Sequence, residues 1–306
     1  MKLPLPRVAS LVFALSVLLA LPLCTRAEPP LPPGASKVMK DIAYVANGHA
    51  QQKLDLYLPL KPGGPLLVYI HGGGWRGGTK KNAQGLPMLG LGYAVASVEY
   101  RFSQDAVFPA QIEDCKGAIR WLRAHAAENG FDGKHIGVMG DSAGGHLTAL
   151  LAATGDTHDF DKGENLDQSS AIQCGIDFYG PTDFPAFEPP SPTPAVQRSG
   201  PDSLLTQLFG GEMSDHMDLA KKASPVTWVN KDTAPLFILH GTKDPLVPVS
   251  QSKEMEEKLK AANVEVMLDV IEGAGHGGKE FFADGRAERM VEFLNKHLHP
   301  GTDGKS

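Results

Sequence analysis

The sequence predicts an α/β protein with a mainly parallel sheet and helices on both of its faces. Short apolar runs alternate with longer segments of helical periodicity, which is typical of strands joined by crossover helices. Hydrophobic residues make up 42% of the 306 positions, enough for one large core. The sequence contains neither a phosphate-binding glycine pattern nor Cys/His spacing suited to zinc, so we expect no cofactor and no metal.

The first 27 residues predict a secretory signal peptide. Lys2 and Arg7 precede an apolar segment over residues 8–23, and Ala27 offers a small residue before the cut. An uncleaved anchor is one alternative, but the apolar segment is short for a membrane span and contains Pro22. A lipoprotein anchor at Cys24 is the other, and the bulky Leu23 before it disfavours that alternative. We therefore expect a secreted or periplasmic protein without a stable membrane anchor.

The amino-acid composition argues against certain classes of binding partner. The formal net charge of −6 argues against nucleic acid or anionic membrane as a binding partner. Cys115 and Cys174 remain after cleavage, one in a predicted helix and one in a predicted strand. Two buried free thiols are favoured over a disulfide between them.

The elements follow in chain order. Residues 28–40 are rich in proline and predict an extended leader ahead of a single domain over 41–298. Apolar or alternating runs predict strands at 53–59, 65–70, 93–98, 136–139, 174–179, 235–240 and 264–271. Helical periodicity predicts helices at 110–127, 146–153, 250–262 and 281–297. Residues 182–227 are rich in proline, serine and acidic residues, and predict a lid-like excursion beside a functional site.

The pentapeptide Gly-Asp-Ser-Ala-Gly at 140–144 lies between a predicted strand and a predicted helix. A sharp strand-to-helix turn leaves no room for side chains on the flanking residues, which explains the two glycines. Such a turn holds Ser142 at the positive end of the helix dipole, where developing negative charge is stabilised. Ser142 is therefore the predicted nucleophile.

A serine hydroxyl needs a neighbouring base, and that base needs an orienting carboxylate. Asp244 follows the strand at 235–240, and His276 lies in a glycine-rich loop after the last strand. Both follow Ser142 in the order expected for this strand–turn–helix motif. Asp183 is the alternative acid, whereas His146 is predicted to be a packed neighbour of the turn.

The HGGGW sequence at 71–75 follows another predicted strand. Consecutive glycines let backbone N–H groups approach a substrate oxygen without obstruction. The N–H groups of Gly73 and Gly74, with that of Ala143, are the predicted oxyanion hole. Trp75 either lines the substrate pocket or clamps this loop from the core.

Six segments together carry a family resemblance; they are HGGGW at 71–75, VEYRF at 98–102, FPAQIEDC at 108–115, GDSAGG at 140–145, HGTKDPLVP at 240–248 and GAGHG at 273–277. They resemble the α/β-hydrolase esterases of the carboxylesterase and hormone-sensitive-lipase type, most closely the secreted bacterial BD-FAE-like (acetylxylan/feruloyl esterase-like) hydrolases. The resemblance implies an α/β-hydrolase fold, with a mainly parallel eight-stranded sheet flanked by helices on both faces. It also implies cofactor-free hydrolysis of short-chain acyl esters through an acyl-Ser142 intermediate. The substrate would be a small-molecule or polysaccharide-linked ester.

Two other functions stay open on the sequence. An amidase or peptidase, similar to kynurenine formamidase, could use the same three residues. A non-catalytic binding protein on the same fold is the third reading, although such proteins typically lose a member of the triad.

Overall fold

One eight-stranded sheet runs through the part of the chain that the computed structural model describes, residues 30–191, 193 and 196–299. Its strands are β1 (Ala35–Ala43), β2 (Lys53–Pro59), β3 (Pro65–Ile70), β4 (Ala94–Val98), β5 (Asp132–Asp141), β6 (Cys174–Phe178), β7 (Leu236–Gly241) and β8 (Val266–Ile271). Their order is β1-β2-β4-β3-β5-β6-β7-β8. Only β2 runs antiparallel to its neighbours, which confirms the predicted mainly parallel sheet. The predicted signal peptide lies outside the described residues.

Seven α-helices connect or flank these strands within the described ranges. They are α1 (Ala110–Ala124), α2 (Ala126–Asn129), α3 (Ala143–Ala153), α4 (Leu204–Phe209), α5 (Met217–Ala223), α6 (Ser250–Ala261) and α7 (Arg286–Leu298). None of these helices combines the length and apolar character needed to cross a bilayer. Cys115 in α1 and Cys174 in β6 are buried free thiols.

Both faces of the sheet are covered. In β3, Leu66, Val68 and Ile70 join the apolar cluster that includes side chains of α1, α3 and α6. Leu67 and Tyr69 point the other way and join the cluster that includes α7. Because alternate side chains enter two different cores, β3 has to be apolar throughout. The predicted helices on both faces are confirmed.

β1 corrects the predicted leader. It begins at Ala35, so part of the 28–40 segment belongs to the sheet rather than to a linker. Most of its side chains are exposed or half-buried, and it is held by antiparallel backbone pairing with β2. An edge strand of this kind has no marked hydrophobic alternation, which is why its sequence resembles a linker.

The last helix also starts later than predicted. A 3₁₀ turn occupies Lys279–Phe282, and α7 begins at Arg286. Between them, Asp284 and Gly285 adopt left-handed backbone conformations with φ of 55° and 75°. This break separates two segments that share one apolar periodicity in the sequence.

The parallel strands bring the predicted site residues to one edge of the sheet. Gly73 follows β3, Ser142 follows β5, Asp244 follows β7 and His276 follows β8. Since the carboxyl ends of parallel strands lie on the same side, these loops converge there.

Candidate active site

Ser142 sits in a strained turn between β5 and α3. Its φ of 54° lies in the left-handed region, which a non-glycine residue rarely adopts. A Cβ on Gly144 would lie 2.1 Å from the carbonyl oxygen of Ile70, and one on Gly140 would lie 2.4 Å from that of Gly144. Both flanking glycines are thus required by close backbone packing, as the sequence argument expects.

The structure brings the three predicted catalytic residues into one hydrogen-bonded chain. The Ser142 hydroxyl donates to Nε2 of His276 at 2.9 Å. Nδ1–H of His276 donates to Oδ2 of Asp244 at 2.6 Å. This is the geometry in which an imidazole can take the serine proton while a carboxylate fixes its tautomer.

Asp244 is held as a carboxylate by its surroundings. Its Oδ1 accepts the backbone N–H groups of Leu246 and Val247 at 2.8 and 2.9 Å. Burial acts to raise the pKa of Asp244, but the neighbouring His240 and His276 outweigh burial and hold this pKa well below its usual range. A carboxylate that remains charged can stabilise an imidazolium on His276.

Asp183, the alternative acid, makes its hydrogen bonds away from His276. Its Oδ1 accepts the backbone N–H of Ala186 at 3.1 Å, and its own N–H donates to Oε1 of Gln251. No described contact joins it to His276. The structure therefore selects Asp244 as the partner of His276.

The HGGGW loop places free N–H groups next to Ser142. Gly73 and Gly74 have φ of 112° and 59°, and a Cβ on Gly73 would lie 2.3 Å from the carbonyl oxygen of Gly77. The N–H groups of Gly73, Gly74 and Ala143 have no acceptor among the described residues. Unpaired donors fixed beside a nucleophile can stabilise an oxyanion, as predicted for these three positions.

Buried polar contacts fix this loop to the sheet. Oδ1 of Asp141 accepts the Tyr69 hydroxyl at 2.6 Å and the Gly72 N–H at 3.3 Å. His71 stacks on Tyr100 with ring centroids 4.7 Å apart, and its Nδ1–H donates to the carbonyl of Gly72. Burial lowers the pKa of His71, so this imidazole is a neutral brace rather than a base.

Trp75 fulfils both of the roles considered for it. The residue lines the cavity above Ser142, yet only 4% of it is exposed. Its indole N–H donates to Nδ1 of His146 at 3.1 Å, and Nε2–H of His146 donates to the carbonyl of Ala223 at 2.8 Å. Burial lowers the pKa of His146 to about 4, which keeps it neutral and able to accept from Trp75.

The predicted excursion is tied down at both of its ends. At its start, the N–H groups of Thr182 and Asp183 both donate to Oε1 of Gln251 on α6 at 2.8 Å. Near its end, Ala223 is bound by His146, and the Ser224 hydroxyl accepts the N–H of Phe184. The two ends of the excursion are therefore anchored to α6 and α3.

A cavity of about 390 Å³ opens over Ser142. Apolar side chains of the excursion and of the Asp244 loop form much of its wall; they are Phe187, Val196, Leu204, Leu205, Leu246 and Val247. Arg76, Asp141, Tyr179 and His276 are the charged or titratable groups among its described lining residues. The cavity can hold an acyl group of moderate size next to the nucleophile.

Tyr179 is a site residue that the sequence argument missed. Its ring packs against the imidazole of His276 with centroids 4.5 Å apart, and it lines the same cavity. Its φ of 47° is strained for a bulky residue, and a Cβ on Gly277 would lie 2.9 Å from its hydroxyl. One sequence signal could have identified Tyr179. It directly follows β6, at the same edge of the sheet as the other site loops.

Comparison with known proteins agrees with the fold. A model of the BD-FAE family matches residues 54–259, more than half of the chain. The chain is 34% identical over 232 residues to the probable carboxylic ester hydrolase LipM of Mycobacterium tuberculosis, an alignment that covers 72% of this chain. It spans 51% of LipM, about half the length of that curated relative.

Two solved structures are similar over most of the described domain. A truncated carbohydrate esterase from gut microbiota superposes with a TM-score of 0.79 at 28% identity, covering 88% of this chain and 99% of the other. A bifunctional GH43-CE protein of Bacteroides eggerthii superposes with a TM-score of 0.77 at 31% identity, covering 85% of this chain and 38% of the other. The chain therefore belongs to the BD-FAE family, within the α/β-hydrolase esterases.

Proposed function

We propose that this chain is a secreted or periplasmic serine hydrolase of short-chain carboxylic esters. The observation that carries the proposal is the hydrogen-bonded chain from Ser142 through His276 to Asp244, with distances of 2.9 and 2.6 Å. The free N–H groups of Gly73 and Gly74 beside it complete the set of groups that acyl transfer requires.

Acylation begins when His276 takes the hydroxyl proton of Ser142 at Nε2. Oγ attacks the ester carbonyl, and the N–H groups of Gly73, Gly74 and Ala143 bind the oxyanion. Asp244 stabilises the imidazolium through Nδ1–H. The tetrahedral intermediate collapses as the carbon–oxygen bond to the alcohol breaks, and His276 returns its proton to the departing alkoxide.

Deacylation repeats the sequence with water. His276 removes a proton from a water molecule, whose oxygen attacks the acyl-Ser142 carbonyl in the same oxyanion site. Collapse releases the carboxylic acid, and the proton returns from His276 to Oγ of Ser142. The catalytic groups in both halves of the reaction are side chains and backbone N–H groups of the protein, and water is the second substrate.

The substrate class follows from the cavity and from the relatives. Apolar walls around about 390 Å³ suit an acetyl group or a phenolic acyl group such as feruloyl. The similar gut-microbiota structure is named a carbohydrate esterase. Together with the predicted signal peptide, this favours acyl groups on plant polysaccharide, which the enzyme would remove outside the cytoplasm.

Hydrolysis of a p-nitrophenyl ester series from acetate to decanoate, by the chain starting at residue 28, tests the proposal. We expect activity to be greatest from acetate to butyrate, and Ser142→Ala to lower kcat by at least about 10⁴-fold. Ser36→Ala is the matched control, because the Ser36 hydroxyl binds the edge of the sheet at Pro59.

Two outcomes would contradict the proposal. A folded protein that cleaves none of these esters but hydrolyses aryl amides or formamides would make it an amidase. Inactivity towards both ester and amide substrates would indicate a binding role on the hydrolase fold. Deacetylation of acetylated xylan and release of ferulate then test the polysaccharide assignment separately.

A further inference from the structure

Arg76 directly follows the HGGGW loop and lines the cavity that contains Ser142 and His276. Its backbone is fixed, because its N–H donates to the carbonyl of Gly73 at 3.2 Å and its carbonyl accepts from Nε2 of Gln104 at 2.9 Å. The side chain is exposed. A guanidinium is thus presented at the mouth of the site by the same loop that supplies two oxyanion donors.

This guanidinium differs from those of the other described arginines in having no strong acceptor. The others bind carboxylates or several carbonyls, namely Arg101 with Asp114, Arg120 with Asp161, Arg198 with Glu188, Arg286 and Arg289 with Asp269, and Arg123 with the carbonyls of Gly133, Ser169 and Ala171. Arg76 reaches only Oε1 of Gln207 on α4, at 3.5 Å. Within the described ranges it has no carboxylate inside 4.0 Å.

Hydrolysis of a neutral ester does not use such a group. The proposed mechanism employs Ser142, His276, Asp244 and backbone N–H groups only. A guanidinium presents several donors in a planar fork that matches the two oxygens of a carboxylate. In a chain with a formal charge of −6, a local cation is also what an anionic substrate would need in order to approach the site.

We infer that Arg76 binds a carboxylate of the substrate, so that the preferred esters carry a carboxylate on either the acyl or the alcohol part. A half-ester of a dicarboxylic acid is an example of the first, and an acylated uronic acid of the second. The inference rests on the proposed ester hydrolysis and specifies its substrate. Because the contact forms as soon as the substrate binds, it acts on KM more than on kcat.

Two matched pairs of esters distinguish the two sources of the carboxylate. On the acyl side, p-nitrophenyl hemisuccinate is compared with p-nitrophenyl butyrate. On the alcohol side, 4-acetoxybenzoate is compared with 4-acetoxybenzamide. The wild type, Arg76→Gln and the control Arg289→Gln are assayed on all four, since Arg289 is bound to Asp269 and does not line the cavity.

We expect Arg76→Gln to lower kcat/KM for the carboxylate-bearing member of at least one pair about 10- to 100-fold more than for its neutral partner. This additional loss of kcat/KM for the carboxylate-bearing ester should become smaller at high salt. Arg289→Gln should leave kcat/KM for all four esters at the wild-type level. Equal effects of Arg76→Gln on both members of each pair would overturn the inference while the neutral esters are still hydrolysed. Inactivity of the wild type on all four esters would instead contradict the proposed function and the inference with it.

Discussion

Among the side chains of the site, Asp244 is held by hydrogen bonds to both of its carboxylate oxygens. Two backbone N–H groups bind one of its oxygens and His276 binds the other. Since its pKa is held below the usual range, the carboxylate is charged at neutral pH. Its role is to hold His276 in one tautomer and to stabilise the positive charge that forms there.

Asp244→Asn should lower kcat by about 10³- to 10⁴-fold, because an amide in this place favours the wrong tautomer of His276. Asp183→Asn is the control, and its kcat should stay within about threefold of wild type, since the Asp183 side chain caps the backbone at Ala186 and interacts with Glu254 rather than with the triad. Steady-state kinetics on p-nitrophenyl acetate measure both. Comparable losses in the two variants would show that the acid has been misassigned.

The ring of Tyr179 packs against the imidazole of His276 and limits its movement. With Tyr179→Ala, His276 loses its packing partner, so kcat should fall about 10- to 100-fold with a smaller change in KM. Tyr179→Phe retains the ring and should recover most of the lost activity. If Tyr179→Phe is as impaired as Tyr179→Ala, the hydroxyl rather than the packing is what matters.

Among the structural elements, we expect the β5–α3 turn to tolerate amino-acid substitutions least. Gly144→Ala would place a methyl group 2.1 Å from the carbonyl oxygen of Ile70, and we expect it to lower the free energy of unfolding by about 3 kcal/mol or more. Gly90→Ala is the matched control, because a Cβ there meets nothing within 4 Å. Urea unfolding of both variants measures the difference. A Gly144→Ala protein of wild-type stability would refute the close packing of this turn.

The strands were predictable where burial dictates composition. β3 has the predicted bounds at Pro65–Ile70, because a strand buried on both faces has to be apolar throughout. β1 escaped prediction because most of its side chains are exposed or half-buried, so it lacks the continuous apolar run of a central strand. The start of α7 was misplaced because two left-handed residues interrupt a periodicity that the sequence continues.

The site was predictable from the sequence only where local sequence features mark its residues. Ser142, the HGGGW loop and His276 stand out because glycines mark the close approaches they require. The parts played by Tyr179, Arg76 and His146 depend on contacts across long sequence separations, as between His146 and Ala223. Local sequence carries no record of such contacts.

For the molecule as a whole, Asp177 links stability to pH. It is buried in β6, where Oδ1 accepts the Gly180 N–H and Oδ2 has no partner among the described residues. Burial raises the pKa of Asp177 from 3.8 to about 6. Its contribution to stability is fully present below pH 3.8 and is lost as the pH rises through 6, a change of about 3 kcal/mol.

Asp177→Asn should therefore match the wild type near pH 4 and exceed its free energy of unfolding by about 1–3 kcal/mol at pH 7. The exposed Asp167→Asn is the control and should show no such trend. His146 acts in the opposite sense, since its pKa of about 4 removes stability as the pH falls below 6.5, but it is common to all three proteins. Urea unfolding at pH 4, 5.5 and 7 measures the differences, and a constant offset between Asp177→Asn and wild type would contradict this account.

The anchored excursion has a kinetic consequence. Its two ends are bound, to Gln251 and to His146, and its described residues Phe187, Val196, Leu204 and Leu205 form a wall of a cavity that is already open over Ser142. An enzyme with such a wall needs no lipid surface to expose its serine. Its rate on tributyrin should follow a simple saturation curve through the solubility limit, without the jump that interfacial activation produces when droplets form.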